Sequence, residues 1–129
     1  MRKSLHNVEI VSETGTIPNV PVLQIKEYIL GKKFNLNLIF IGPRKALELN
    51  KTYRQKDYTP NILTFPLDDN NGEIYICRSV ARKQYKDFDM SYEKYLTLLV
   101  VHGILHLKGH DHSSTMEELE DELTKKFYK

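Results

Sequence analysis

The stretch Val101-His-Gly-Ile-Leu-His-Leu-Lys-Gly-His-Asp-His112 carries four of the chain's five histidines and begins inside its most apolar run, Leu96 to Leu107. His102 and His106 are four residues apart. In an α-helix four residues turn about 400° and rise about 6 Å, so both imidazoles leave one face, one above the other. Tyr92, Tyr95, Leu96, Leu99, Val100, Gly103 and Leu107 recur at three- and four-residue spacing, which predicts a buried helix, and Gly109 is placed to stop it. His112 falls just past that stop, where a turned chain can return a third imidazole towards the first two.

Three neutral imidazoles suit zinc, whose catalytic sites take three protein ligands and leave a fourth position open. The spacing therefore predicts Zn2+ held by His102, His106 and His112, on a buried helix and the turn after it. A coordinated water would then supply a nucleophile without Ser or Cys. The competing reading makes His102 and His106 core histidines of a buried helix. Asp111, between two histidines, is a candidate acceptor for an imidazole N–H or a base near the metal, or it caps the turn. His110 is expected to face solvent, with a substrate contact as the alternative. The spacing overlaps that of the metzincin peptidases, His-Glu-x-x-His-x-x-Gly-x-x-His, whose Glu is the general base. Here that position is Gly103, and the seventeen residues after His112 are fewer than the usual downstream Met-turn segment needs. A zinc peptidase is thus the alternative rather than the leading reading.

The motif from His102 to His112 resembles the signature of the YbeY family of bacterial metal-dependent endoribonucleases, H-G-x-L-H-L-x-G-x-D-H, with each fixed position present. Leu49-Asn50, Tyr53-Arg54 and Asp57 resemble its L-N-x-x-y-R-x-x-d segment. Asn61-Ile-Leu-Thr-Phe-Pro66 resembles D-V-L-S-F-P, and Gly72-Glu-Ile-Tyr-Ile-Cys77 resembles G-D-I-x-I-C. The chain departs from the pattern at Asn61, where the family has Asp, and at Pro60, where it has Thr. The resemblance implies a zinc-dependent endoribonuclease acting on single-stranded RNA in rRNA maturation and ribosome quality control, with the small ribosomal subunit as partner. It also selects Arg54, which spacing alone would assign to a helix-end salt bridge, as the group that grips the scissile phosphate through its planar fork. A ribosome-assembly factor with a mainly structural zinc is a further alternative.

Length and composition agree with a soluble globular protein. At 129 residues, 40% apolar and 28% charged, the chain is expected to form one globular domain over 1–129. No apolar run approaches the roughly 18 residues of a membrane span, and the N-terminal residues lack the apolar core of an export signal. Cys77 alone cannot form an internal disulfide, which agrees with the cytoplasm. The net charge of +2 does not by itself argue for nucleic acid. Two basic runs, Arg44 to Lys56 and Arg78 to Lys86, suit either phosphate contact or a solvated surface. The acidic run Glu117 to Glu122 reads as a solvated helix face.

Along the chain, strands are expected at Asn7–Ser12, Phe34–Ile41, Ile62–Phe65 and Glu73–Arg78. The last two would form a hairpin around the turn Asp68-Asp69-Asn70-Asn71-Gly72, which carries the Asn-Gly hairpin signal. Helices are expected at Pro18–Leu30, Pro43–Arg54 and Ser79–Asp87, then at the histidine helix, capped by Asp89 or Ser91. A last helix follows, with a Ser114/Glu117 capping box and the stripe Met116, Leu119, Glu120, Leu123, Phe127. The fold class is α+β, a short mixed four-stranded sheet covered by helices.

Overall fold

The computed structural model describes residues 1–111 and 113–129. Its centre is a mixed sheet of five strands: β1 (Arg2–Leu5), β2 (Val8–Ser12), β3 (Asn35–Ile41), β4 (Ile62–Asp68) and β5 (Asn71–Cys77), in the order β1-β2-β3-β5-β4. The inner pairs β2–β3 and β3–β5 are parallel, and antiparallel partners flank them on both sides. The expected count of four strands is corrected to five. Arg2, Lys3 and Ser4 are exposed and show no apolar alternation, so β1 is held by pairing with β2 across a turn in which Asn7 takes φ 57°.

Val8, Ile10, Leu36, Leu38, Phe40, Ile74 and Ile76 alternate onto one face of the sheet. That face is covered by α1 (Val22–Leu30) and α4 (Tyr92–Lys108), and α5 (Ser114–Phe127) packs on α4. On the opposite face α2 (Pro43–Arg54) closes a smaller cluster of Ile41, Ala46 and Cys77. The connection α3 (Arg78–Gln84) ends in a 3-10 turn, Tyr85–Phe88.

Several boundaries differ from expectation for identifiable reasons. The first helix starts at Val22 rather than Pro18, because Pro21 sits at a non-helical ψ of 65°. Ser91 caps α4, its Oγ accepting from Lys94 N at 3.2 Å, while Asp89 takes the left-handed conformation at φ 52°. The cap of α5 is Ser113, whose Oγ accepts from Met116 N at 3.1 Å, so the cap lies one residue before the expected Ser114 and Met116 rather than Glu117 stands third in the helix. The hairpin turns at Asp69-Asn70, where Asp68 Oδ1 accepts from Asn70 N at 2.8 Å. Gly72 is therefore a strand residue opposite Pro66, and a Cβ there would lie 2.8 Å from Leu107 Cδ2. Pro66 does not stop β4, because β4 is an edge strand with an irregularity between Pro66 and Asp68.

The basic run Arg78 to Lys86 is divided by burial. Arg78 is buried and points inward. Its guanidinium donates to Thr16 O (2.7 Å), Ser12 Oγ (2.8 Å) and Thr14 O (2.9 Å), and lies 4.8 Å from the centre of the Phe40 ring. It ties the chain after β2 to the end of β5 and is removed from the phosphate-contact candidates. Replacing Arg78 by Ala strands these acceptors and is expected to cost roughly 2–4 kcal/mol, with Lys recovering part of it. Urea unfolding of the three proteins checks this, and an unchanged midpoint in Arg78→Ala would contradict it.

Candidate functional site

The histidine helix behaves as its periodicity predicts. Tyr95, Leu96, Leu99, Val100 and Ile104 are buried, and Gly109 ends the helix at φ 109° with His110 N donating back to Leu105 O at 3.1 Å. Gly103 turns towards the sheet. A Cβ at this position would lie 2.9 Å from Ile74 Cδ1, 3.0 Å from Ile62 Cδ1 and 3.2 Å from Thr64 Cγ2. The missing side chain lets α4 press against β4 and β5, which brings His102 and His106 to a cleft at the edge of β4.

Within that cleft the two half-buried imidazoles meet edge to face, with Nε2 atoms 3.1 Å apart. Two nitrogens bound to one tetrahedral zinc at about 2.0–2.1 Å stand roughly 3.3 Å apart, so this pair fits two ligands of one ion. On its other side, His102 Nδ1 contacts the Glu120 carboxylate of α5. A carboxylate accepting Nδ1–H keeps the Nε2 lone pair for a metal and fixes the ring. No group of three or more metal-ligating side chains occurs among the described residues, and His112, the expected third ligand, lies outside them. Asp111 is exposed, and among the described residues the Glu120 carboxylate reaches the His102 imidazole. His110, expected to face solvent, is half-buried.

Arg54, in the last turn of α2, shares a cleft of about 260 Å3 with Ile62, Thr64, His102 and His106. It is exposed and makes no ion pair among the described residues, so the helix-end salt bridge is not formed. Asn50 holds the following loop in place: it is buried, and its Nδ2 donates to Tyr58 O at 2.9 Å. An adjoining cleft of about 480 Å3 also includes Arg54 and His102, and reaches Asn61, Gln84, Phe88 and Glu120. There Asn61 Nδ2 donates to Gln84 Oε1 (3.1 Å) and to Tyr95 Oη (3.3 Å), and Tyr95 Oη donates to the same Gln84 oxygen at 3.2 Å. Burial pushes the Tyr95 phenol above its ordinary pKa, which keeps it a donor. A carboxylate at 61 could not donate these bonds, so the amide is matched to Gln84.

Glu120 was the hidden member of the site. It belongs to the acidic run expected to be solvated, yet it stands on the apolar stripe with Met116, Leu119 and Leu123. A carboxylate on a buried stripe was the available signal.

A small α+β domain thus brings a histidine pair, a half-buried carboxylate and an exposed arginine to one cleft region at a sheet edge. The chain belongs to the YbeY endoribonuclease family, whose model, Endoribonuclease YbeY, matches residues 10–128. It is 39% identical over 95 residues to the Endoribonuclease YbeY of Thermotoga neapolitana, a match covering 73% of this chain and 60% of that relative. Its match to the Endoribonuclease YbeY of Staphylococcus carnosus is 30% identical and covers 89% of this chain and 84% of that relative. The chain thus spans about three-fifths of the length of the Thermotoga neapolitana relative. The solution structure of a Thermotoga maritima protein superposes with a TM-score of 0.64 at 29% identity, covering 94% of this chain and 89% of the other.

The contact of Gly103 with the sheet also bears on the peptidase alternative, whose base would occupy this position. Gly103→Glu would force a carboxylate between Ile62 and Ile74. It is expected to lower unfolding free energy by roughly 3 kcal/mol or more and to produce no casein cleavage. Urea unfolding with a casein assay checks both, and a fully stable variant would show that the contact is not limiting.

Proposed function

We propose that this chain is a zinc-dependent endoribonuclease that cuts single-stranded RNA in ribosomal RNA maturation and quality control. The observation that carries this reading is the His102–His106 pair, its Nε2 atoms 3.1 Å apart, in one cleft with Arg54. His102, His106 and His112 would hold the metal. Bound zinc supplies a Lewis acid and brings the ionisation of water near neutral pH. The family, and the names its relatives carry, support RNA as the substrate. The small ribosomal subunit as partner and the cytoplasm as location belong to the same proposal. No helix among the described residues is long and apolar enough to cross a membrane.

Each side chain then has a task. The Arg54 guanidinium grips two oxygens of the scissile phosphate and offsets the charge that grows on them. Glu120 holds the His102 ring in orientation through Nδ1. Asp111, exposed and next to His112 in the sequence, is proposed as the proton acceptor for the attacking group. The peptidase reading loses support because position 103 faces the sheet and not the cleft.

Elemental analysis should find one zinc per chain, lost in His106→Ala and retained in His110→Ala. Glu120→Ala is expected to weaken zinc binding about 10- to 100-fold, as loss of a partner to a ligand histidine generally does. Zinc retained at full affinity in His106→Ala would overturn the ligand assignment. Stripping the metal should abolish cleavage with the fold retained; unfolding on chelation would favour a structural zinc.

For Arg54→Ala, zinc content and melting should match wild type while single-turnover cleavage of single-stranded RNA falls about 30- to 1,000-fold, the equivalent of roughly 2–4 kcal/mol. Arg54→Lys should recover only part, because it keeps the charge without the planar fork. Equal rates in all three proteins would remove Arg54 from the site.

A further inference from the structure

The larger cleft contains groups that holding a metal and a phosphate does not use. Phe88, the last residue of the 3-10 turn, is 51% exposed although large and apolar. One face of its ring stacks on Tyr95, with centroids 5.0 Å apart and planes 23° from parallel. Tyr95 is itself immobilised, being 2% exposed and bonded through its hydroxyl to Asn61 and Gln84. Phe88 is therefore a braced aromatic plane on the wall of the cleft that holds Arg54 and His102.

Hydrogen-bond accounting for Asn61 and Gln84 points the same way. Asn61 Nδ2 spends both protons inside the triangle, and Gln84 Oε1 accepts from both neighbours. Asn61 Oδ1 and Gln84 Nε2 have no partner among the described residues, and neither is a buried orphan. Because the amide ends are fixed by the bonds they make, the cleft presents one acceptor and one donor in a set order. That is the complement of the Watson–Crick edge of an unpaired base, and an aromatic plane is what such a base stacks on.

We propose that the cleft between Phe88 and Arg54 is a nucleobase pocket: Phe88 stacks the base beside the phosphate that Arg54 grips, while Gln84 Nε2 and Asn61 Oδ1 read its Watson–Crick edge. This rests on the endoribonuclease reading and adds to it a physical reason for single-strand preference. In a duplex that edge is already paired and the base is stacked on both sides.

The test is fluorescence anisotropy of the zinc-loaded full chain with short labelled oligocytidylate, oligouridylate and oligoadenylate, together with thermal melting and zinc content. Phe88→Leu keeps apolar contact with Tyr95 but loses the plane, and Phe88→Tyr keeps the plane. Binding should weaken about 5- to 150-fold in Phe88→Leu, the equivalent of roughly 1–3 kcal/mol, with melting and zinc unchanged, and remain near wild type in Phe88→Tyr. Gln84→Glu, which turns the free donor into an acceptor, should change the order of preference among the three homopolymers. A self-complementary duplex should compete poorly. Equal affinity of wild type and Phe88→Leu, in a protein that does bind RNA, overturns the pocket alone. A wild type that neither binds nor cuts RNA overturns the endoribonuclease reading, and the pocket with it.

Discussion

Everything at the site depends on how closely one helix approaches one sheet. At Gly103 the backbone of α4 comes so near β4 and β5 that a Cβ would sit 2.9 Å from Ile74 Cδ1. Dispersion and apolar burial drive this approach, and the residues on either side of the histidines, Val101 and Leu105, are buried with it. The histidines cannot turn inward with them, because the 3.6-residue repeat sets positions 102 and 106 on the flank. That flank is the edge of β4, where a cleft can open to solvent. The packing that stabilises the domain thus also fixes where two imidazoles meet.

Around this contact the polar groups are sorted by burial. Lys26 is fully buried and donates to the carbonyls of Gly31, Lys32 and Phe34, so it closes the end of α1 onto the start of β3. Burial pushes its pKa down, and the three carbonyls are what the ammonium has in place of water. Arg78 does the same for the loop after β2. Arg54 has no such enclosure and stays available at the cleft. Three cations that look alike in a linear sequence therefore have different tasks, and enclosure separates them.

Much of the architecture was legible because local chemistry and global packing agree. The histidine helix, its Gly109 stop, α2 from Pro43 to Arg54 and the alternation of β3 follow from periodicity and from Pro and Gly at the boundaries. Where the two levels separate, the reading slipped. Asn71-Gly72 has the composition of a turn, yet Gly72 is in β5 because Leu107 and Phe34 leave no space for a side chain. Strand β1 has little apolar signal, because Arg2, Lys3 and Ser4 are exposed and pairing with β2 makes it a strand, with Leu5 packing on the core.

The sequence by itself determined the histidine pair, since four-residue spacing on a continuous helix forces both imidazoles to one side whatever surrounds them. It also determined the family, through fixed residues that need no coordinates to compare. Only the tertiary structure decided which carboxylate meets His102, because Glu120 is 18 residues away in the chain and arrives by the docking of α5 on α4. It likewise decided that Arg54 faces the histidines while Arg78 does not, and that Asn61, Gln84 and Tyr95 close a triangle beside them. Such groupings depend on the sum of many packing contacts over long stretches of chain, and no local pattern of residues records that sum.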